Sequence, residues 1–416
     1  MSDVLTSNEK GAQQVLDVAD ASLFTRGHPH VLYDEVRHER PIRFIPAIRG
    51  RPEYWMLTRH QDIHAVSRDT QRFSSAAGFR LGATSDRKGV NSEVAESITR
   101  NMLTLDPPEH TEIRMPMNAA FSPVALSAVT STVESFVEEL TDRIKPHNEV
   151  EFVSQVAAIV PIKTLCLLLG LPEEDHNRVF DWTNKLVGAS DPEYSASLED
   201  SMKAFMEVFQ YGREQIESRR KEPRDDLLSL VASITKNGTP LEGAERDAMF
   251  TLLLAAGNET TRNSLTGSIL ALTKFPDQRE ELASDLSLMD NAIEELLRYV
   301  TPVIHMMRIA REDVEIGSEV IREGQRVTLL YGAGNHDPEL FEDPHALRLN
   351  RENARKHIAF GVGIHHCLGA RLARIQLKAL LTALLTKFPN VQAVSEPEYL
   401  QSNFVSAVKR VQVRLH

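Results

Sequence analysis

The decapeptide at residues 360–369 concentrates the side chains best suited to chemistry. It contains Cys367, one of only 2 cysteines in 416 residues, together with Gly361, Gly363 and Gly369. A helical period follows the cysteine, so the thiol should lie at or just before a helix N-terminus, where unpaired backbone N–H groups favour a thiolate. The glycines would let the backbone turn tightly and let a flat group approach closely.

This arrangement favours a metal-bound thiolate over other uses of a cysteine. A thiolate in a glycine-lined loop suits the axial position of haem iron. One alternative is a buried structural cysteine, which is the usual role of an unpaired cysteine. Another is a zinc site of His365, His366 and Cys367. Three ligands in three successive residues converge poorly on one tetrahedral ion, and no second Cys/His cluster has metal-ligand spacing in the sequence.

The second chemical feature interrupts a long helix. Residues 244–274 contain no proline and predict a helix of about 46 Å. Its middle, residues 252–256, is apolar, and residues 257–261 then place a carboxylate and two threonines in a buried position, which is costly unless they are used or paired. Gly257 would leave room beside the helix, and Thr260 could bend it by bonding to a carbonyl oxygen. The alternative is a polar turn that reaches solvent.

Two pairs of polar side chains also have helical spacing. His110 and Arg114 lie four residues apart, after a proline that suits a first helical turn, and could together hold an anionic group. Glu295 and Arg298 lie three apart, a spacing that usually marks an exposed ion pair of little energetic value. Taken alone, each pair is most simply explained as solvated surface charge.

The order and spacing of these motifs resemble the cytochrome P450 family. The decapeptide has the family's pattern Phe-Gly-x-Gly-x-His-x-Cys-x-Gly, and the long helix carries Ala-Gly-x-Glu-Thr-Thr, which is similar to the family's oxygen-binding motif. Residues 106–114 read Asp-Pro-Pro-x-His-x-x-x-Arg, residues 295–298 read Glu-x-x-Arg, and residues 335–341 read Asn-x-Asp-Pro-x-x-Phe. Each of these three segments resembles a family motif as well.

The resemblance implies the cytochrome P450 fold, which is mainly α with a small β-rich lobe. Residues 1–416 would form a single domain. The β-rich part would fall mainly within residues 40–60 and 301–331, and the helical haem-binding part within 105–300 and 360–390. Membrane-anchored members of the family begin with an apolar helix, and this chain instead resembles the soluble bacterial branch.

The resemblance also implies a role for each matched residue. Cys367 would bind the iron of haem b, Thr260 would contact bound dioxygen, and Glu259 would relay protons from solvent. Arg311 competes with Arg308 for a contact to a haem propionate. The residues expected to hold the cofactor, some of them at its propionates, are His110, Arg114, Gly257, Arg308, Phe360, Gly361, Gly363, His365 and Gly369. The charge network expected to support the cysteine loop is Glu295, Arg298 and Arg351.

The implied chemistry is monooxygenation of an apolar small molecule, such as a steroid, a terpenoid or a fatty acid. Electrons from NAD(P)H would arrive through a separate ferredoxin reductase and ferredoxin. Arg355, Lys356, Arg371 and Arg374 could form the docking patch, although ordinary solvated charges explain them equally well. A peroxide-driven peroxygenase and a haem sensor or ligand carrier are the alternatives. The acid and alcohol in the long helix argue for oxygen activation.

The sequence is least informative about the substrate. Two segments would enclose the pocket, a long loop at residues 73–99 and a lid near residues 182–209. The chain shows only that the pocket should be largely apolar, because its expected walls are aliphatic or aromatic. The side chains expected to line it are Leu253, Ala256, Val303, Ile304 and Phe404.

Composition limits the other function classes. The chain has a net charge of −12 and a pI of about 5.7, so it is a poor candidate for nucleic-acid binding. Its few cysteines indicate a reducing compartment, and Cys166, within an apolar helical run, is expected in the core. Because neither a signal peptide nor an apolar run of about 18 residues is evident, we expect a cytoplasmic monomer without a membrane span.

The elements that must position these groups follow from periodicity. Helices are predicted at His30–Glu39 and 291–300, and after the cysteine as far as Phe388. Strands are predicted at Ile42–Ile45, 54–58, Val314–Ile316 and 327–331. Residues 124–234 should be mostly helical. Breaks are expected there near Pro146, Pro161, 170–172, 190–192 and Pro223.

Overall fold

Helices dominate the computed structural model, which describes residues 6–7, 13–14, 16–48, 51–82, 100–195 and 197–416. The α-helices of these residues are α1 His30–Glu39, α2 His60–Arg68, α3 Glu109–Ala120, α4 Ala125–Asp142, α5 Ile159–Leu169, α6 His176–Val187, α7 Leu198–Lys221, α8 Leu227–Ser233, α9 Gly243–Lys274, α10 Pro276–Ser284, α11 Met289–Val300, α12 Tyr331–Gly334 and α13 Ala370–Lys387. The helices predicted around residues 30–39, 244–274, 291–300 and 368–388 are therefore present.

The strands are short and form small sheets. They are β1 Thr6–Ser7, β2 Gln13–Gln14, β3 Ile42–Ile45, β4 Tyr54–Leu57, β5 Phe73–Ser74, β6 Glu149–Glu151, β7 Thr235–Lys236, β8 Thr239–Pro240, β9 His305–Ala310, β10 Val314–Ile316, β11 Glu319–Ile321, β12 Arg326–Leu330, β13 Gln392–Ala393, β14 Glu398–Tyr399, β15 Val408–Arg410 and β16 Gln412–Arg414. The largest sheet has 5 strands in the order β3-β4-β12-β9-β5. Within it β4 and β12 run parallel, and the other pairs run antiparallel.

Strand β9 was not predicted, because its sequence His-Met-Met-Arg-Ile-Ala lacks an alternating pattern. It forms between two partners, and Arg308 pairs with Val327 of β12 while Ala310 pairs with Phe73 of β5. Pairing on both sides satisfies the backbone groups of a segment whose own strand signal is weak. This strand carries Arg308 toward the region of the cysteine loop.

Helix α9 is the centre of the helical part. It runs for 32 residues and packs against α5, α6, α7, α11 and α13. Leu265, Ile269 and Leu272 of α9 belong to one buried apolar cluster with Leu377 and Leu381 of α13. Contacts on several faces explain why this helix is apolar on more than one side.

The break expected near Pro161 falls at Ala158, three residues before the proline. A π-helical turn at Val153–Ala157 leads into α5, and Pro161 lies inside the first turn of α5. A proline is tolerated there because the first N–H groups of a helix have no intrahelical acceptor. The break after α5 is correct, since Gly170 ends the helix with a φ of +63°, and Cys166 is fully buried as expected.

Among the described helices, none is by itself both long and apolar enough to cross a membrane. Helices α3 and α4, bent by 57° at their junction, pass the same test only as a pair and only by length and composition.

Candidate functional site

The backbone of the cysteine loop is held by local hydrogen bonds. The Cys367 N–H donates to the Phe360 carbonyl oxygen over 2.8 Å, and α13 begins three residues later at Ala370. Gly361 and Gly363 have φ values of +71° and +73°, which disfavour any residue with a Cβ. A Cβ on Gly363 would also lie 2.8 Å from a backbone oxygen of α2. Gly363 is thus required by close packing on α2 as well as by the turn.

The Cys367 side chain is accessible to solvent, although protein atoms surround it closely. That surrounding raises the pKa of the thiol, and the Gly369 N–H, Arg114 and Arg374 only partly oppose the effect. The backbone N–H at the helix start acts in the expected direction, although burial has the larger effect on the pKa of the thiol. Arg114 also donates to the His366 carbonyl oxygen over 2.6 Å, so α3 is tied directly to the loop.

His110 and His365 meet beside the cysteine loop. Their ring centres lie 4.5 Å apart, and His365 Nε2 lies 3.1 Å from the Ser75 hydroxyl. Burial, reinforced by Arg308 and His110, lowers the pKa of His365 to about 2. Burial, reinforced by Arg114, lowers the pKa of His110 to about 4. His110 Nε2 is buried without a hydrogen-bond partner, so a donor or acceptor is available toward the loop.

The structure separates the two competing arginines. Arg308 is 4% exposed, and its only hydrogen-bond acceptor among the described residues is the Met307 carbonyl oxygen, 2.8 Å away. Arg311 instead pairs with Asp106 over 2.5 Å. A buried guanidinium without a carboxylate partner is costly, so Arg308 is the arginine suited to an incoming anion.

Helix α9 is open to solvent at one place in its middle. Ala256 is exposed and Thr260 is half-exposed, although most of α9 around them is buried. The Thr260 hydroxyl donates to the Ala256 carbonyl oxygen over 3.0 Å. A Cβ on Gly257 would lie 2.9 Å from Leu165 of α5, so this glycine permits close packing of α9 on α5. Its assignment to the cofactor site stays a prediction.

Glu259 lies in a buried polar cluster that sequence reasoning only partly anticipated. One oxygen, Oε1, is paired with Arg262 and accepts from the Asn263 side chain over 3.1 Å. Arg262 continues to Asn184 of α6 over 2.8 Å. The other carboxylate oxygen, Oε2, is buried without a hydrogen-bond partner. The helical spacing from Glu259 could have pointed to Arg262, but Asn184 could not have been found from the sequence.

The cysteine loop and α9 contact one apolar cluster. Leu368, next to Cys367, packs against the cluster that contains Leu253 and Leu254 of α9. His110 and Arg308 both lie near His365 of the same loop. This set of groups fits a flat iron-containing cofactor with two carboxylates, as haem is.

The charge network beneath the loop is fully buried and fully bonded. Arg298 donates to both oxygens of Glu295 over 2.7 and 2.8 Å. The Arg351 Nε lies 3.0 Å from each of the same oxygens. Arg298 also donates to the carbonyl oxygens of Asn335 and Pro344, each over 2.8 Å. The pair that looked like surface charge in the sequence thus joins α11 to the segment before the cysteine loop.

The expected pocket residues differ in how far their side chains are buried. Leu253 is 8% exposed, while Val303 and Phe404 are half-buried, and the Phe404 ring lies 5.4 Å from that of Phe79. Ile304 is fully buried in an apolar cluster with Met307 and Leu330. Its assignment to the pocket stays a prediction.

The structure describes only part of the two segments expected to enclose the pocket. Residues 83–99 of the predicted loop lie outside the described residues. In the predicted lid, Trp182 of α6 is 2% exposed and donates its Nε1–H to Glu207 of α7 over 3.2 Å. This contact joins α6 to α7, so the part of the lid around Trp182 is anchored in the core.

The basic residues near the loop differ in whether their charge is already paired with a carboxylate. Arg374 donates to Glu294 over 2.6 and 2.8 Å, so its charge is already compensated. Arg355 and Lys356 line a groove of about 340 Å³ that also borders Phe360. The groove lies on the outer side of the cysteine loop, where a partner protein could approach.

Comparison with known proteins agrees with this geometry. The family model for Cytochrome P450 matches residues 168–414. Linalool 8-monooxygenase of Pseudomonas putida is 35% identical over 96% of this chain and 98% of its own length. The methyl-branched lipid omega-hydroxylase of Mycobacterium tuberculosis is 32% identical over 91% of this chain and 89% of its own.

A solved structure also shares the fold of this chain. A Mycobacterium marinum cytochrome P450 in complex with pseudoionone superposes with a TM-score of 0.88 at 33% identity, covering 96% of this chain and 98% of its own. The small sheets, the long interrupted helix and the cysteine loop therefore belong to one known architecture. This chain belongs to the cytochrome P450 family, and it is a cytochrome P450 monooxygenase.

Proposed function

We propose that the protein inserts one oxygen atom from O₂ into a methyl-branched, apolar chain, using electrons from a separate ferredoxin. One observation carries this proposal. The accessible Cys367 thiol is next to Leu368, which packs against the apolar cluster that contains Leu253 of α9, so cofactor and substrate would meet between the cysteine loop and the Ala256–Thr260 part of α9. Residues 1–416 would act as one domain and as a cytoplasmic monomer.

Haem b would be held from two sides. Cys367 would bind the iron, and a thiolate ligand gives haem its ability to activate oxygen. His110, Arg114, Arg308 and His365 would hold the two propionates. Arg308 would gain the anionic partner that it lacks among the described residues, and His110 Nε2 would gain a hydrogen bond. Both changes favour binding of the cofactor over an empty site.

Thr260 and Glu259 would deliver protons to the site. The Thr260 hydroxyl bonds only to the carbonyl oxygen of its own helix, so it can rotate toward a ligand at small cost. Glu259 has one oxygen fixed by Arg262 and one without a partner. A carboxylate held in this way can exchange a proton while its position stays defined.

Several relatives support this substrate class, although relatives of similar identity are steroid C26-monooxygenases. Linalool and pseudoionone are acyclic isoprenoids, and a methyl-branched lipid shares their branched apolar chain. Leu253, Val303 and Phe404 would supply aliphatic and aromatic walls for such a chain. The smallest side chain at the open face, Ala256, would leave room for the carbon that reacts.

The electrons would come from NAD(P)H through a ferredoxin reductase and a ferredoxin. The groove beside Arg355 and Lys356 borders Phe360 of the cysteine loop, so a docked acidic partner would lie close to the iron ligand. Charge complementarity of this kind mainly raises the rate of encounter. Arg371 is exposed on α13 and would extend the same basic surface.

The test is oxygen transfer to linalool under ¹⁸O₂ with NAD(P)H, a ferredoxin and its reductase. We expect a hydroxylated product that carries one labelled oxygen. Cys367→Ser should abolish both turnover and the red-shifted thiolate–CO absorption band, whereas Cys166→Ala, the control, should retain them. Unlabelled product, or a hydrogen peroxide reaction that is faster than the ferredoxin reaction, would contradict the proposal and favour a peroxygenase.

A further inference from the structure

Three histidines from two distant parts of the chain form a cluster away from the cysteine loop. His30 begins α1, while His336 and His345 lie in the segment after α12. One ring nitrogen from each lies within 4.8 Å of the other two. The ring centres of His30 and His336 are 4.1 Å apart, and those of His336 and His345 are 5.2 Å apart. Spacing in the sequence gave no sign of this group.

The two inner rings have free nitrogen atoms. His336 is 1% exposed, and its Nδ1 is 3.0 Å from the Gly332 carbonyl oxygen. That contact requires the proton on Nδ1, so Nε2 keeps its lone pair, and this Nε2 is buried without a partner. His30 Nδ1 is also buried without a partner. Metal-binding histidines have this same arrangement, with the second nitrogen fixed by a carbonyl or carboxylate.

The third ring connects the cluster to solvent. His345 is exposed, and its Nε2 lies 2.7 Å from Asp34 Oδ2 of α1. A carboxylate at this distance orients the ring and leaves Nδ1 as the ligand atom. The cluster therefore has two buried donors and one outer donor, so an ion could enter from the His345 side.

The charges around the cluster limit which ion it could hold. Lys274 and Arg37 face His30, and Arg298 faces His336. Arg37 is paired with Asp34. These cations oppose a metal ion, so the site needs strong nitrogen ligands rather than charge attraction.

We propose that His30, His336 and His345 form a Zn²⁺ site that clamps α1 to the segment after α12. Neutral imidazoles suit zinc, and three protein ligands with one water complete its tetrahedron. Tetrahedral Zn–N bonds of about 2.0–2.1 Å place ligand nitrogens about 3.3 Å apart. The exposed His345 ring would therefore move inward by a small rotation, and Asp34 would follow it.

The direct test uses the haem-loaded protein after removal of metals with EDTA, titrated with ZnCl₂ in a calorimeter. We expect one high-affinity equivalent and a higher Tm with zinc than without it. His30→Ala and His345→Ala should weaken binding at least tenfold. His38→Ala, an exposed histidine on the same helix, should bind zinc as the parent does. Failure of the parent to bind, or equal binding by His345→Ala, would overturn the proposal.

Zinc K-edge absorption identifies the ligands independently. We expect a first shell of nitrogen and oxygen at about 2.0–2.1 Å with imidazole scattering. A sulfur shell at about 2.3 Å would instead place the ion at a cysteine and would also overturn the proposal. Because His336 is buried, a substitution there would test folding as well as binding. The variants His30→Ala and His345→Ala therefore decide the result. Oxygen-transfer activity takes no part in either measurement.

Discussion

Two Glu-x-x-Arg pairs, one on α9 and one on α11, have the same spacing and the same burial but different surroundings. Glu295 on α11 receives hydrogen bonds at both oxygens from Arg298 and Arg351. Glu259 on α9 is bonded at one oxygen, and its Oε2 has no partner. A fully bonded carboxylate can serve only as scaffold, whereas a partly bonded one can still take a proton. The difference therefore separates a structural pair from one suited to proton transfer.

The largest effect is expected from Glu295→Gln. This change leaves Arg298 and Arg351 buried without their counter-charge, which costs about 3–5 kcal/mol of unfolding free energy. Urea unfolding monitored by circular dichroism measures the loss, and haem content should fall with it. The control is Glu352→Gln, since Glu352 is exposed. A variant as stable as the parent would mean that the bonded network is not the scaffold.

A smaller loss is expected from Glu294, the neighbour of Glu295. Burial raises the pKa of this carboxyl, but hydrogen bonds from Arg374 and His357 outweigh burial and lower the pKa to about 2. A carboxyl whose pKa is depressed in the folded protein stabilises the fold at pH values above its ordinary pKa. That stabilisation is lost as the pH falls through the pKa of the folded state. Glu294→Gln should cost about 2 kcal/mol at pH 7, allowing for the partly exposed Arg374.

The pH dependence checks this assignment. The difference in unfolding free energy between the parent and Glu294→Gln should be constant above about pH 5 and shrink as the pH falls from there toward 2. Urea unfolding at pH 7, 5 and 3 measures it. A difference that stayed constant down to pH 3 would show that the ion pair with Arg374 does not hold the charge on Glu294.

Glu259→Gln makes in the pair on α9 the same change that Glu295→Gln makes in the pair on α11. Glutamine keeps an oxygen for Arg262 and Asn263, and only one arginine instead of two loses its counter-charge, so the stability cost should be about 1–2 kcal/mol, less than for Glu295→Gln. Product formation should nevertheless fall roughly 100-fold, because the side chain can no longer exchange a proton. Labelled product per haem and urea unfolding measure the two effects on one preparation. If Glu259→Gln lost stability as Glu295→Gln does and kept its rate, the two pairs would have the same role.

The smallest structural effect is expected from Thr260→Ala. The lost hydrogen bond lies within the helix and is half-exposed, so the unfolding free energy should change by less than about 1 kcal/mol. Electrons from NAD(P)H should still be consumed, while a larger share should leave as hydrogen peroxide. The ratio of product to NAD(P)H measures this coupling. Ser264→Ala, which removes a similar hydroxyl bond in the same helix, serves as the control.

Much of the fold could be predicted because its signals are local. The helix at His30–Glu39 and the long helix α9 follow from period and from the position of prolines. Strand β9 could not be predicted, since partners on both sides and not its own residues hold it in place. The break expected near Pro161 falls at Ala158 instead of at the proline, because a first helical turn accepts proline.

The site was predictable in its motifs and less so in its geometry. The motif suggested that Gly257 belonged to the cofactor, but only the structure shows that this glycine permits close packing on Leu165. Ile304 and Phe404 looked equivalent as pocket walls, and their burial separates them. Arg308 and Arg311 could not be distinguished until Asp106 was found paired with Arg311.

The sequence by itself determined the cysteine, the glycine spacing around it and the interrupted helix, because turns, periods and motifs depend on neighbours along the chain. Only the tertiary structure decided which polar atoms remain without partners. Among the described residues, Glu259 Oε2, His110 Nε2 and His336 Nε2 are buried without a hydrogen-bond partner. The physical reason is that a hydrogen bond needs both atoms within about 3 Å, and the folded chain alone sets that distance.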